Sequence, residues 1–502
     1  MQNSRPAFLR AAPVLLAFVL LTVFLATMAP GLTWANGGSD GGDLIAAAAT
    51  GGVAHPTGYP VYLVLARLFQ WLPFGSLASR TNLLSAVATV AAAVLVGETV
   101  RRSLQDAPEA GRVLAGLVAG AAFGLAPLVW SQAVITEVYA LHGLFVGLLL
   151  YLLVVVGSPK PIGIFGIGLI QGLAAGNHVL ALLMAPMVLA AVSGHRSRTA
   201  VQPARVWSAW RWDSRACAVG CLGILAGLLS YAILPIRAAN HPPVNWGVPV
   251  TLQRFAWLVS GSLYQDSLFR LDLIALWEHL QAWAALTLQQ TGILGLLLAL
   301  VGLIVFFSPS RVYLLTLWVA IVFTAFSFQY AVIDSYVHLL PVYLAFSIWT
   351  GLGIGQLSRL ASIRFSPAAW LIGVAALAYF VPLAVGRWPQ VDASRDPRAE
   401  RFGRQLLDQA PAQAILFAEG DRAVFGLWYF HYALHLRPDV RVVADSLLPF
   451  DWYRENLQST YSDLVLPDSA PGTWISTILR ANPGRPTCFA AYPEPGLKCS
   501  QD

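Results

Sequence analysis

Two carboxylates near the start of the chain have a spacing that suits general-base chemistry. Asp40 and Asp43 stand three residues apart, separated by two glycines, at the start of a predicted short helix. On a helix such side chains face the same way. A carboxylate held at a membrane face can take the proton of an acceptor hydroxyl. The alternative is structural: Asp40 caps the helix and Asp43 complements its dipole.

A second polar segment, His55-Pro-Thr-Gly-Tyr-Pro60, follows this helix. Its glycine lets a bulky ligand approach the backbone, and its prolines fix the direction of the chain. We assign His55 and Tyr59 to substrate binding.

Two further acids stand at the outer ends of predicted spans. Glu137 precedes Val-Tyr-Ala-Leu-His142, and Asp334 precedes Ser-Tyr-Val-His338. An ionisable residue at that depth is a functional candidate by default. The competing interpretation is a solvated carboxylate at a helix end.

Four other residues are candidates for binding substrate. Asn177 and His178 interrupt an apolar segment and could bind a sugar or phosphate, although a satisfied core histidine is the simpler interpretation. Arg237 is suited to clamping a phosphate, or it snorkels to the interface. Trp246 could stack on a sugar ring or lie at the headgroup level.

The composition decides which solvent surrounds these residues. Of the 502 residues, 57% are hydrophobic and 11% are charged, against about 25% charged in soluble domains. The mean hydropathy is +0.64. The net charge of +6 comes from arginines in short loops, as the positive-inside rule predicts. No zinc-finger spacing or basic stripe appears, so nucleic acid is not an expected partner.

Apolar runs predict a mainly α polytopic membrane protein with about 11 transmembrane helices. The predicted spans cover residues 7–29, 81–100, 112–130, 138–157, 216–235, 283–307, 312–330, 337–357 and 367–386. Residues 162–193 form two shorter apolar pieces broken at Asn177-His178, which predicts a hairpin with its tip inside protein. Arginine-rich loops alternate with acidic ones, so we expect a cytoplasmic N-terminus and an extracytoplasmic C-terminus.

The chain divides into a transmembrane domain, residues 1–388, and a small extracytoplasmic α/β domain, residues 389–502. The first outer loop, residues 30–80, is long and ends in an amphipathic interfacial helix after Tyr59. The tail alternates strand-like Ala414–Ala418 and Val440–Ala444 with helix-like segments, which predicts a parallel strand pair. Cys488 and Cys499 are candidates for a disulfide if the tail faces an oxidising compartment, and are otherwise free thiols.

These motifs resemble the opening of a membrane-protein family long catalogued as a domain of unknown function, which includes a eukaryotic ER protein O-mannosyltransferase. Members typically read Asp-Ser-Gly-Glu and then His-Pro-Pro-Gly-Tyr-Pro. In this chain Asp43 replaces the Glu and Thr57 replaces the second Pro. The likeness continues through the motifs around Glu137, Asn177, Arg237, Trp246 and Asp334. It covers roughly residues 10–345 and extends loosely to Arg-Pro-Asp-Val440.

The resemblance implies a GT-C-type fold with a catalytic acid in the first outer loop and a lipid-linked sugar donor. By position Asp40 is the base and Asp43 its neighbour. Glu137, Asn177, His178 and Asp334 line the pocket. Arg237 as a contact of the donor phosphate is our own hypothesis.

We therefore expect a glycosyltransferase that moves a sugar, mannose being one candidate, from a polyprenyl-phosphate carrier to a hydroxyl of a protein, glycan or lipid. The expected location is the extracytoplasmic face of a bacterial cytoplasmic membrane. A divalent cation between Asp40, Asp43 and Glu137 is compatible with the residues, but nothing in their spacing requires one. The alternatives are a transporter or flippase of a lipid-linked sugar and a non-catalytic envelope-assembly protein.

Overall fold

The computed structural model describes residues 7–155, 160–196, 210–269, 273–305, 310–332, 334–365, 367–469, 472–491 and 496–500 of the chain. Within these residues the protein is mainly α-helical, with a four-stranded sheet near the C-terminus and a two-stranded pair in the middle. Long apolar helices make up most of the first 391 residues. The chain is a multi-pass membrane protein, as its composition predicts.

The helices and strands have the following bounds. Up to residue 238 the helices are α1 (Ala7–Thr27), α2 (Gly41–Thr50), α3 (Pro60–Gln70), α4 (Leu77–Ser103), α5 (Glu109–Gly124), α6 (Pro127–Ala133), α7 (Tyr139–Val155), α8 (Pro161–Asn177), α9 (Ala185–Ser193), α10 (Ser214–Leu228) and α11 (Ile233–Ala238). The later helices are α12 (Leu252–Val259), α13 (Leu273–Val305), α14 (Arg311–Gln329), α15 (Leu340–Ser362), α16 (Ala368–Val391), α17 (Arg398–Gln409), α18 (Asp421–Trp428), α19 (Asp451–Thr460) and α20 (Trp474–Ala481). The strands are β1 (Gly194–Arg196), β2 (Trp210–Trp212), β3 (Ile415–Glu419), β4 (Arg441–Ala444), β5 (Thr487–Ala491) and β6 (Lys498–Ser500).

Fewer of the described helices are long enough to cross a membrane than the sequence predicts. In the described part of the chain six helices are long and apolar enough to cross a membrane, or seven if a bent pair counts as one span. Five shorter apolar helices accompany them, α3 among them. The predicted count of about eleven is therefore not confirmed. The ends of the predicted spans 138–157 and 283–307 lie outside the described residues.

The segment predicted as a span over residues 112–130 consists of two helices in the structure. The chain bends by 69° between α5 and α6, because Pro127 begins a new helix and cannot donate a backbone hydrogen bond to the preceding turn. The carbonyl of Leu125 left free at the bend accepts a hydrogen bond of 3.2 Å from the guanidinium of Arg387. The bend directs the chain toward the loop that carries Glu137.

Helices α8 and α10 approach each other through glycines. A Cβ atom on Gly168 would lie 2.3 Å from the carbonyl oxygen of Gly220, and one on Gly172 would lie 2.2 Å from that of Ile224. Small residues at such contacts allow close packing between membrane helices. The predicted break is confirmed, since α8 ends at Asn177 and His178 has extended backbone angles.

The C-terminal domain is the predicted α/β unit. Its strands are ordered β4-β3-β5-β6, with β3 parallel to β4 and β5, and with β5 antiparallel to β6. The sequence predicts a helix over residues 422–436, but α18 ends at Trp428 and a π-turn follows. Helix α16 continues to Val391, past the predicted domain boundary at residue 388.

The C-terminal domain shares a hydrophobic core with the outer loops. Buried side chains of both regions form one continuous cluster. Trp34 packs edge-on against Phe402 with ring centroids 5.1 Å apart. In the loop between α11 and α13, which we call the second outer loop, Arg254 forms an ion pair of 2.7 Å with Glu455. The domain therefore covers the end of the helix bundle at which these loops lie.

Candidate active site

The helix that carries the two carboxylates forms as predicted, but its first acid does not cap it. Asp40 occupies the N-cap position of α2, yet its side chain makes no capping hydrogen bond. Its Oδ1 accepts a hydrogen bond from Ser39 Oγ at 3.1 Å, and 29% of the side-chain surface remains exposed. Asp40 therefore presents a carboxylate to the space above α2.

Asp43 holds its neighbours in place. It is fully buried, and its Oδ2 accepts hydrogen bonds from the backbone N–H of His55 at 3.0 Å and from His55 Nδ1 at 2.7 Å. Its Oδ1 accepts a third, at 3.0 Å, from the indole Nε1 of Trp246. Burying a carboxylate is costly unless it is hydrogen-bonded in this way. Asp43 thus orients His55 rather than facing the open space.

A short backbone bridge explains why Trp246 reaches Asp43. Val53 pairs with Asn245 in a parallel bridge, so the second outer loop runs alongside the first. The rings of Phe425, Trp428 and Trp452 surround the indole of Trp246. Little of the indole surface of Trp246 is therefore free to stack on a sugar, as one of the two interpretations of the sequence expected.

His55 lies between the two acids. Its Nε2 is 3.5 Å from Asp40 Oδ2, while Nδ1 contacts Asp43. Burial alone would lower the pKa of His55, but the charge of Asp40 and the hydrogen bond and charge of Asp43 raise it to about 9. Burial raises the pKa of Asp40, and the charge of His55 opposes this shift. At neutral pH the imidazole is thus protonated, and Asp40 is the group able to accept a proton.

Two predicted acids lie around the same space. Glu137 is buried between α6 and α7, and Asp334 is exposed before α15. Burial, together with the charges of Asp40 and Asp334, raises the pKa of Glu137 well above its ordinary value. The structure thus brings both Asp40 and Asp334 within electrostatic range of Glu137.

The C-terminal domain adds a wall that the sequence did not reveal. The ring of Phe425 stacks on His55, with centroids 6.1 Å apart and planes 14° from parallel. Helix α18 approaches α2 so closely that a Cβ atom on Gly42 would lie 2.1 Å from the carbonyl oxygen of Phe425. Only glycine fits at such a contact.

Asp421, at the start of α18, is a further acid of this site. We call the opening between Asp40, Asp334 and Asp421 the charged mouth. Desolvation raises its pKa, the charge of His55 opposes this, and the charges of Asp43 and Asp334 add to it. No local signal could reveal its position, because it lies far along the chain from Asp40.

The remaining predicted residues lie deeper or to one side. Asn177 is fully buried and donates to the carbonyl of Val138 at 3.3 Å. His178 and Tyr59 are neighbours, with ring centroids 5.9 Å apart. Tyr59 also packs edge-on against His55 at 5.1 Å. These residues connect the charged mouth with the interior of the helix bundle.

Arg237 lies half-buried at the end of α11, where it donates to the carbonyl of Gly52 at 3.3 Å. Arg67, on helix α3, lies close enough for its positive charge to act on Arg237. Two guanidinium groups near each other are suited to binding a phosphate. Arg67 was missed because a lone arginine on an interfacial helix usually snorkels.

The two cysteines of the tail are the last residues that the sequence singles out. Cys488 and Cys499 face each other across β5 and β6 and form a disulfide.

Among the residues that the structure describes, no group of three or more His, Cys, Asp or Glu side chains is arranged to hold a metal ion.

Comparison with known proteins agrees with this geometry. The family model described as the protein O-mannosyl-transferase TMEM260 N-terminal domain matches residues 40–200. The model described as TMEM260-associated domain 2 matches residues 399–469. The first match begins at Asp40 and the second includes α18, so both sides of the site fall within them.

Curated relatives extend the likeness over most of the chain. Protein O-mannosyl-transferase TMEM260 of Mus musculus is 27% identical over 461 residues, which are 83% of this chain. That of Dictyostelium discoideum is 23% identical over 502 residues, or 91% of this chain. The chain spans 60% of the length of each of these relatives.

Solved structures share the fold. ArnT from Cupriavidus metallidurans in the apo state superposes with a TM-score of 0.55 at 14% identity, covering 96% of this chain and 92% of ArnT. The same protein bound to undecaprenyl phosphate gives 0.54 at 14% identity, with 97% and 94% covered. The chain is therefore similar in sequence to the O-mannosyl-transferase TMEM260 proteins of mouse and Dictyostelium, and it shares the fold of ArnT.

Proposed function

We propose that the chain is an inverting glycosyltransferase that transfers a sugar from a polyprenyl-phosphate carrier to a hydroxyl acceptor outside the cytoplasmic membrane. The observation that carries the proposal is the carboxylate of Asp40, which caps no helix and faces open space beside the protonated His55. Mannose is the first sugar to test, because the mouse and Dictyostelium relatives are named O-mannosyl-transferases.

In the proposed reaction Asp40 takes the proton of the acceptor hydroxyl as its oxygen attacks the anomeric carbon. The bond between that carbon and the phosphate oxygen breaks, and polyprenyl phosphate leaves with the bonding electrons. One base and one leaving group suffice for inversion. The raised pKa of Asp40 makes its ionised form a stronger base, while Asp43 and Phe425 keep His55 beside it.

The departing phosphate needs positive charge. We assign this role to Arg237, with Arg67 as its partner, because the two guanidinium groups are close enough for their charges to repel each other. Preorganised cations of this kind stabilise charge that develops in a transition state. Undecaprenyl phosphate bound to ArnT, which shares the fold, supports a carrier of this class.

We place the site on the extracytoplasmic face of a bacterial cytoplasmic membrane, with residues 389–502 as the outer domain. The disulfide between Cys488 and Cys499 supports this location, since disulfides persist in oxidising compartments. The acceptor is a hydroxyl of a protein, glycan or lipid that reaches the mouth between Asp40, Asp334 and Asp421.

The test is sugar transfer by the purified full chain in nanodiscs, with polyprenyl-phosphate mannose and other polyprenyl-phosphate sugars as donors. Asp40→Asn removes the base and nearly keeps its shape, so kcat should fall about 10²–10⁴-fold. The matched control is Asp468→Asn, which changes an exposed carboxylate outside the site and should leave kcat unchanged. Equal turnover of Asp40→Asn and wild type would refute the assigned base, and binding without turnover of any donor would favour a flippase.

A further inference from the structure

Three histidines lie together inside the helix bundle, below the charged mouth. The ring of His178 has centroid distances of 5.3 Å to His142 and 5.9 Å to His338. Tyr139 contacts His178 at 5.5 Å and His338 at 5.6 Å. We call these four residues the imidazole pocket. The proposed proton transfer uses none of them.

The hydrogen bonds of His178 determine which of its nitrogens carries a proton. Its Nδ1 accepts a hydrogen bond from the backbone N–H of Leu180 at 3.3 Å. A nitrogen that accepts such a bond carries no proton, so the ring is neutral and its single proton is on Nε2. His178 thus offers an N–H donor at Nε2.

His338 has the opposite arrangement. Its Nδ1 lies 3.1 Å from the carbonyl oxygen of Ser335. A carbonyl can only accept, so Nδ1 carries the proton, and in the neutral ring Nε2 is an acceptor. The pocket therefore holds one imidazole donor and one imidazole acceptor on neighbouring rings.

Two further polar groups in this region lack partners among the described residues. His142 is 3% exposed, and neither of its ring nitrogens has a hydrogen-bond partner. Asn177, which precedes His178, is fully buried and its Oδ1 has no partner. Buried polar atoms are normally satisfied, and exceptions of this kind suggest a missing ligand.

Ring contacts through Tyr59 connect the imidazole pocket with the residues around Asp40. Tyr59 lies 5.9 Å from His178 on one side and 5.1 Å from His55 on the other, measured between ring centroids. His55 in turn contacts Asp40.

We propose that the imidazole pocket binds the sugar of the donor and selects an uncharged, hydroxyl-bearing sugar. This inference rests on the proposed function. A sugar hydroxyl both donates and accepts, so it can bridge His178 Nε2–H and His338 Nε2. The faces of Tyr139 and Tyr59 can pack against the apolar side of the ring. A sugar carboxylate would find no positive charge on His178, because the bond from Leu180 keeps that ring neutral.

The experiment measures how much the sugar adds to binding of the carrier. The full chain in nanodiscs is titrated with polyprenyl phosphate, with polyprenyl-phosphate mannose and with polyprenyl-phosphate glucuronic acid. In wild type the mannose-linked carrier should bind at least tenfold more tightly than the bare carrier, and the glucuronic acid carrier should show no such gain. A hydrogen bond to a buried polar group is worth about tenfold in affinity.

Substitutions at each imidazole separate shape from hydrogen bonding. His178→Phe and His338→Phe should each reduce the mannose-dependent gain about tenfold and leave the affinity for the bare carrier unchanged. His178→Gln and His338→Gln, whose amides reach the position of Nε2, should keep most of the gain.

Equal binding of bare and mannose-linked carriers by wild type would overturn the inference. So would a gain that survives both Phe substitutions, or an equal gain for glucuronic acid. A wild type that shows the predicted gain but transfers no sugar would support the pocket and overturn the proposed transferase.

Discussion

Histidines in two neighbouring regions of this protein have opposite chemistry. His55 lies between the carboxylates of Asp40 and Asp43, and its pKa is raised to about 9. His178 and His338, deeper in the bundle, bond instead to backbone groups of Leu180 and Ser335. Carboxylate partners favour the imidazolium, whereas a backbone N–H that donates to the ring favours the neutral form.

In the proposed sugar transfer, this difference between the histidines gives the two regions different roles. The positive charge of His55, 3.5 Å from Asp40, can hold this proton acceptor in place. Neutral rings with one donor and one acceptor can recognise hydroxyl groups without introducing an unpaired charge into the bundle. Phe425 of the C-terminal domain stacks on His55. Among the described residues, it makes no ring contact with the imidazole pocket. The C-terminal domain thus covers the first region through this ring and not the second.

Among changes that act on one region and leave the other intact, the largest expected effect in this comparison comes from separating α2 from α18. Gly42→Ala would place a Cβ atom 2.1 Å from the carbonyl oxygen of Phe425, so one backbone must move. We expect kcat to fall about 100-fold, while the mannose-dependent gain in carrier affinity stays as in wild type. Steady-state kinetics and carrier binding on the same preparation test both statements.

The neighbouring glycine provides the control for this change. A Cβ atom on Gly41 would meet Thr136 Cβ at 3.5 Å, an ordinary contact, so Gly41→Ala should retain near wild-type kcat. If Gly42→Ala lowered the mannose-dependent gain as strongly as kcat, the two regions would not be separable.

The second prediction uses pH to distinguish the two kinds of histidine. Because the folded-state pKa of His55 is about 9, above its ordinary value of about 6.5, protonation stabilises the folded protein. This contribution is complete below about pH 6.5 and is lost as the pH rises through about 9. The Tm of wild type should therefore fall between these pH values.

His55→Gln should remove that pH-dependent part of the Tm, whereas His435→Gln, at an exposed position, should leave it intact. The mannose-dependent gain in carrier affinity should stay constant over the same pH range, because His178 is already neutral. A gain that changes in parallel with the Tm would contradict the neutral assignment.

The sequence predicted the parts of the site that are close together along the chain. Asp40, Asp43, His55 and Tyr59 lie within one short segment, and the resemblance supplied their order. The helix begun by Asp40 and the parallel strand pair of the tail also followed from local patterns. Sequence could not decide whether Asp40 caps α2, because that depends on the direction of one side chain.

The missed parts depend on contacts between distant segments. Phe425 reaches His55, and Trp246 reaches Asp43, only because the C-terminal domain and the second outer loop fold over α2. His338 lies in the short turn before the apolar helix α15, and its approach to His178 joins segments that are far apart in the sequence. The bend between α5 and α6 follows from Pro127, although apolar residues continue across it.

The smallest expected effect is at His142, whose two ring nitrogens lack partners among the described residues. His142→Phe nearly keeps the ring shape and removes these unsatisfied groups, which should stabilise the unliganded protein by about 1 kcal/mol. Its Tm should therefore rise by roughly 1–3 °C, whereas the mannose-linked carrier should stabilise the variant less than wild type. A lower Tm in the unliganded variant would instead mean that ordered water bonds to His142 in the folded protein. In that case the pocket would be hydrated before the sugar enters, and sugar binding would have to displace that water.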